Sequence, residues 1–256
     1  MEPILSARGQ ATLGRFVTAP VLLAFDFDGT LAPIVSAPDA ARARPSTLGL
    51  LKTVARLYPL AVISGRSTSD LQARFAGTGI EALVGNHGLD LAGANPEAEA
   101  CVRRFAALLE ATLAGEAGVV VEEKGLSLCV HYRNAPDRRR AAQRVRRATA
   151  GLVGARLIGG KLGVNVLPDV EHDKGTALEA LMRSFECQRA LYAGDCVTDE
   201  DVFIRTDPGR LLSIRVGRSA GSRAAYYIPR QRDIDRLLML LVKLRAGSST
   251  AARAPG

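Results

Sequence analysis

Apolar and polar positions divide the chain into three stretches. Between residues 22 and 88, short unbroken apolar runs alternate with longer segments whose apolar residues recur at helical spacing. The runs at 22–26, 60–64 and 82–85 predict buried strands, too continuous to have one face in water. The segment 44–58 opens with Pro45 and Ser46, which suit a helix start, and carries Leu48, Leu51, Val54, Ala55 and Leu57 at helical spacing. A second helix is predicted over 67–75. Strand, helix, strand, helix, strand is the signature of a doubly wound parallel sheet.

The middle stretch has another rhythm. Helices are predicted over 96–114 and 136–153, and each precedes a hairpin. The first hairpin pairs 119–123 with 127–132 around Lys124-Gly125, and the second pairs 156–158 with 163–167 around Gly159-Gly160. That order predicts an α+β module with an antiparallel sheet. After Pro168 the first rhythm returns, with helices over 174–185, 198–205 and 234–244 and strands over 190–193 and 211–216. Small and polar residues from Gly247 onward predict a frayed tail. The expected organisation is a sheet domain built from 1–88 and 167–256, with a small domain inserted at 89–166.

Composition narrows the class. The chain has 256 residues, 47% hydrophobic and 23% charged, as expected of a globular protein able to build a sizeable core. No apolar stretch is long enough for a membrane span, and no signal pattern follows Glu2, so the expectation is a cytoplasmic protein without membrane contact. Cys101, Cys129, Cys187 and Cys196 lack metal-type spacing and are expected to be unpaired thiols. The net charge is +8, with Arg138, Arg139, Arg140, Arg144, Arg146 and Arg147 clustered after Asp137. Aromatic residues are 5% and none interleaves with these arginines, which argues against a single-strand nucleic-acid platform. Their spacing fits a solvated helix face, or a funnel for phosphorylated small molecules. The expectation is no nucleic-acid partner and a monomer.

Candidate chemistry gathers where strands end. Ligands of open α/β sheets sit beyond the carboxyl ends of the strands. Asp26 and Asp28, Ser64 and Arg66, His87, and Asp195 and Asp199 all fall at such ends, with Lys174 at a helix start in the same half. Two carboxylates one residue apart can hold Mg²⁺, and one of them can attack phosphorus. Gly29 lets backbone come close to a phosphate. Taken singly, Asp28-Gly29-Thr30 also reads as a turn with a helix cap, Ser64-Gly65 as a turn, Lys174 as a solvated helix residue, and Asp199-Glu200 as first-turn acids.

Asp26-Phe27-Asp28-Gly29-Thr30, Ser64, Lys174 and Gly194-Asp195-Cys196-Val197-Thr198-Asp199 together resemble the four motifs of the haloacid dehalogenase superfamily of phosphohydrolases. The resemblance implies a HAD-like doubly wound core with an inserted C2-type α+β cap. It implies Asp26 as nucleophile, Asp28 as general acid and base, and Ser64 and Lys174 holding the transferring phosphoryl group. Mg²⁺ would be held by Asp26, the carbonyl of Asp28, Asp195 and Asp199.

Further segments narrow the family. Ile63-Ser64-Gly65-Arg66-Ser67, Gly85-Asn86-His87-Gly88, Glu122-Glu123-Lys124-Gly125, His131-Tyr132-Arg133 and Asp173-Lys174-Gly175 are similar to trehalose-6-phosphate phosphatases. By that resemblance, Thr30, Arg66 and His87 from the core and Glu122, Lys124, Arg133 and Asn165 from the cap bind a sugar phosphate, with Glu122, Lys124 and Arg133 expected on facing strands of one hairpin. Hinges near 88–90 and 166–169 would let the cap close. Three positions depart from the family pattern. Asn165 and Leu167 replace a glutamate and a basic residue, and Cys196 replaces a second aspartate, which assigns Cys196 a supporting place behind the metal ligands. Three alternatives stay open: a phosphatase for glucosyl-3-phosphoglycerate or sucrose 6-phosphate, a sugar-phosphate sensor without activity, and a nucleic-acid binder.

Overall fold

Strand β2 (Val21–Phe25) is buried at every position, because helices cover both faces of its sheet. The structure, a computed structural model, describes residues 1–35, 38–93, 95–160, 162–170, 172–207 and 209–251. The chain divides into two compact units, Met1–Gly88 with Asp173–Gly256, and Leu89–His172.

The first unit begins with β1 (Glu2–Pro3) and α1 (Ala7–Phe16), then β2, α2 (Pro45–Val54), β3 (Leu60–Ile63), α3 (Thr68–Phe75) and β4 (Ala82–Val84). In the second unit α4 (Pro96–Thr112) is followed by β5 (Val120–Glu123), β6 (Leu128–His131), α5 (Arg138–Ala150), β7 (Ala155–Gly159) and β8 (Gly163–Pro168). The chain then returns to the first unit with α6 (Lys174–Ser184), β9 (Arg189–Gly194), α7 (Asp199–Arg205), β10 (Leu211–Val216), β11 (Tyr226–Ile228) and α8 (Ile234–Ala251).

Among the described residues the first unit has a seven-stranded parallel sheet, ordered β1-β11-β10-β9-β2-β3-β4. Alternate side chains of β2 serve opposite faces. Leu23 and Phe25 pack with Leu13, Leu51, Val54, Leu237 and Leu241 from α1, α2 and α8. Leu22 and Ala24 pack with Leu178, Leu181, Val202 and Phe203 from α6 and α7. Helices on both faces make this the expected doubly wound sheet. β2 lies between β9 and β3, so residues distant in sequence end side by side at its carboxyl end.

The second unit is an antiparallel sheet, β5-β6-β8-β7. Leu128, Val130, Val164 and Val166 pack against Val102, Phe105 and Leu109 of α4 and Val145 of α5. The opposite face carries the cross-strand row Glu122, Cys129, Asn165 and Ile158. Among the described residues no helix is long and apolar enough to cross a membrane.

Four expectations need correction. The second crossing between units follows His172 rather than residue 166, because β8 runs on to Pro168, which still pairs with Ala155 of β7. The tail expected to fray from Gly247 continues α8 to Ala251, and only 252–256 lie outside the described residues. β1, α1 and β11 were not foreseen. α1 buries only Gly9 and Leu13, and β1 and β11 have two and three residues, too short for a periodic signal. Lys124 and Arg133, expected on facing strands, lie just beyond β5 and β6.

Leu23 is fully buried in the larger core. Leu23→Ala should therefore lower unfolding stability by about 2–5 kcal/mol, read as a reduced midpoint in urea at unchanged slope.

Candidate active site

The ends of β2 and β9 bring four acidic or thiol groups together. Ligand atoms of Asp26, Asp195, Cys196 and Asp199 all lie within 4.8 Å of one another. Glycine permits this approach at two points. A Cβ on Gly29, which has φ +82°, would collide with the Asp195 carboxylate, and one on Gly194 would collide with Asp199.

Lys174 supplies the counter-charge. It is the first residue of α6, whose start is fixed by a capping box between Asp173 and Thr176. Its Nζ donates to Asp26 Oδ1 at 2.9 Å and to Asp199 Oδ1 at 2.8 Å, and it is 1% exposed. Tyr192 Oη, on β9, donates to the same Asp199 oxygen at 2.7 Å, and the Cys196 amide donates to Asp199 Oδ2 at 2.8 Å. Cys196 Sγ lies 2.9 Å from Thr198 Oγ1 and 3.9 Å from Lys174 Nζ.

Burial opposes ionisation of Asp199, yet Lys174, the Cys196 amide and Tyr192 hold its pKa below the ordinary carboxylate range. Asp26 goes the other way: burial, joined by repulsion from Asp199 and Asp195, outweighs Lys174 and raises it well above that range. Asp195 is pushed up to about 6 by burial and by Asp199. Burial likewise pushes the Cys196 thiol far up, so it is a neutral group beside the carboxylates.

This donor set fits a divalent cation. Three carboxylates face one ammonium, leaving surplus negative charge, and Asp195 Oδ1 is buried without a hydrogen-bond partner among the described residues. The Asp28 carboxylate is not in this cluster. It accepts from Arg66 Nε and Nη2, both at 2.7 Å.

The remaining sequence-derived residues of this unit surround those strand ends. Thr30 is fully buried, and its carbonyl accepts from Gln231 Nε2 at 2.9 Å. Ser64, 1% exposed, directly follows β3, and its Oγ accepts from the Arg66 amide at 3.3 Å. His87, at φ 58°, donates its amide to the Ser64 carbonyl, and its ring covers Gly65 closely enough that any Cβ there would collide with it.

In the second unit Glu122 Oε2 is 2.7 Å from His131 Nε2 and 3.8 Å from Lys124 Nζ. Asn165 occupies the same cross-strand row as Glu122. Arg133 sits past β6, with Nε and Nη1 buried and without partners among the described residues. His131, Tyr192, Asp70 and Arg74 join these networks without having been singled out as site residues. The His131-Tyr132-Arg133 motif was a signal for the first, whereas the others show no signal beyond ordinary helix and strand composition.

A parallel sheet with acidic strand ends, a buried lysine between two aspartates and an inserted α+β unit give this chain a HAD-like fold. The trehalose-phosphatase family model matches residues 24–225, and the chain belongs to that family. It is 34% identical over 226 residues to a trehalose-phosphate phosphatase of Mycobacterium marinum, covering 82% of this chain and 57% of the relative. It is 37% identical over 199 residues to one of Mycobacterium tuberculosis, covering 70% and 49%. The chain thus spans about half the length of these curated relatives. The C-terminal domain of Candida albicans trehalose-6-phosphate phosphatase shares the fold, with TM-score 0.76, 21% identity, and coverage of 95% of this chain and 98% of that one.

His131 is pushed up to about 9 by its contacts with Cys129 and then Glu122. The shift is upward, so the stability it contributes is complete below about pH 6.5 and is lost as pH rises through 9. An NMR titration of the His131 ring should show its midpoint near 9, and Glu122→Gln should bring it down toward 6.5.

Proposed function

We propose that this chain hydrolyses trehalose 6-phosphate to trehalose and phosphate. The single observation supporting this most strongly is Lys174 holding Asp26 and Asp199 at a strand end, inside a chain of the trehalose-phosphatase family.

Asp26 is the nucleophile, and Lys174 fixes one of its oxygens and reduces its repulsion from an anionic ester. As an Asp26 oxygen bonds phosphorus, the bond from phosphorus to the sugar oxygen breaks. That oxygen's electron pair takes the proton of the Asp28 carboxyl, and free sugar leaves. Asp28, now a carboxylate, takes a proton from water while the water oxygen bonds phosphorus. The bond to Asp26 breaks, its electron pair restores the Asp26 carboxylate, and inorganic phosphate leaves with Asp28 protonated again. Ser64 and Lys174 orient the phosphoryl oxygens, which is most of what this transfer asks of a protein. Asp26, Asp195 and Asp199 would hold Mg²⁺, together with the carbonyl of Asp28. When bound, the ion supplies charge neutralisation at the phosphoryl oxygens. Thr30 and His87 bind substrate from the core. Glu122, Lys124, Arg133 and Asn165 bind sugar hydroxyls from the inserted unit, as acceptors and donors.

Phosphate release from trehalose 6-phosphate should require Mg²⁺ and stop with EDTA, and Asp26→Asn should abolish turnover while leaving substrate binding measurable by calorimetry. Retained turnover in Asp26→Asn would remove it as nucleophile. Glu122→Ala should lower kcat/KM for trehalose 6-phosphate by about 10-fold or more, as expected for one lost charged hydrogen bond, and leave p-nitrophenyl phosphate far less affected. A panel including sucrose 6-phosphate and glucosyl-3-phosphoglycerate decides the sugar.

A further inference from the structure

We propose that Arg66 is the positioning residue for Asp28, and that Asp70 and Arg74 hold Arg66 in turn. The inference rests on the reading of Asp28 as acid and base. Arg66 meets both Asp28 oxygens through Nε and Nη2 at 2.7 Å, and its remaining arm, Nη1, donates to Asp70 Oδ2 at 2.8 Å. Arg74 Nε donates to both Asp70 oxygens at 2.9 Å, and its Nη1 bonds the Ala41 carbonyl. Both guanidinium groups lie over the Phe27 ring, at 5.0 and 5.5 Å from its centroid.

The local fold explains the ladder. Ser67 caps α3, accepting from the Asp70 amide, so Asp70 and Arg74 share one helix face and Arg66, just before the cap, meets Asp70 four residues on. The Arg66 backbone is pinned as well, donating to Ser64 Oγ and accepting from the Asn86 amide. Exposure runs in the telling direction: the Asp28 side chain is 39% exposed, but those of Arg66 and Arg74 are 10% and 7%. A partly open acid is thus anchored by a less exposed arginine, which Asp70 and Arg74 brace in turn.

Two parallel N–H···O bonds fix the position and the plane of a carboxylate, which a lysine could not do. Nε and Nη2 take one edge of Asp28 and leave the opposite lone pair of each oxygen to carry or receive a proton. A proton donor displaced by about 1 Å can lose 10²-fold in rate, so the ladder's worth lies in placement. Partly exposed ion pairs contribute little to stability.

The test reads kcat/KM on ring-substituted phenyl phosphates, from p-nitrophenyl to unsubstituted phenyl, which carry no sugar hydroxyls. Protonation matters most for the poorest leaving group. Arg66→Met and Arg66→Lys should lose about 10²-fold on phenyl phosphate and markedly less on p-nitrophenyl phosphate, steepening the dependence on leaving-group acidity. Asp70→Asn, which leaves Arg66 in place, should show the same tilt at smaller size, and it carries the test if the Arg66 variants fail to fold. In an Asp28→Asn background, Arg66→Met should add little. A uniform loss across the series, or no loss, would overturn the positioning role. If the unaltered protein released phosphate neither from these esters nor from trehalose 6-phosphate, the phosphatase reading itself would fall.

Discussion

One buried ammonium holds the chemistry of this molecule together. Lys174 reaches Asp26 from β2 and Asp199 from α7, and so ties residues from both ends of the chain to one point. Three carboxylates in a buried cluster would repel one another without it, since burial and mutual repulsion both work against their ionisation. The counter-charge is incomplete by design of the donor set, and the missing positive charge is what a divalent ion brings. The capping box at the head of α6 matters for this reason: it fixes the helix start whose first residue is the lysine.

Around that point the fold arranges two kinds of support. Glycines at 29 and 194 remove side chains where carboxylates must pass backbone closely. Beyond them, α3 presents a ladder of alternating charge that ends on Asp28. The two aspartates of the first motif therefore live in different settings. Asp26 is shut in against a lysine, whereas Asp28 is held half-open by an arginine fork. One shared strand end thus offers two distinct surroundings to two carboxylates.

The alternation of apolar runs with helical periods made the parallel sheet and the inserted module readable before any coordinates. Asp26, Ser64 and Asp195 at strand ends, with Lys174 at a helix start, marked the candidate site in the same way. What escaped was short or depended on neighbours. β1 and β11 are strands only because β10 offers an edge to extend. Tyr192 looked like one more strand residue until its hydroxyl met Asp199. Arg66 fell within a recognised motif, but its partner Asp28 is thirty-eight positions away, a pairing that periodicity cannot show. The end of the inserted unit was misplaced because β8 keeps pairing past the point where the local pattern turns.

Gly88 marks where the chain leaves the sheet unit, and Asp173 where it returns. A Cβ on Gly88 would strike the Asp173 carbonyl, so exit and re-entry are neighbours in space. An excursion that begins and ends at one spot leaves the topology of the sheet indifferent to its length and content. Exchange of the excursion as a cassette would thus leave the strand ends and their clustered side chains in place. Transplanting the cassette from a relative, cut at this glycine, is the corresponding route for an engineer.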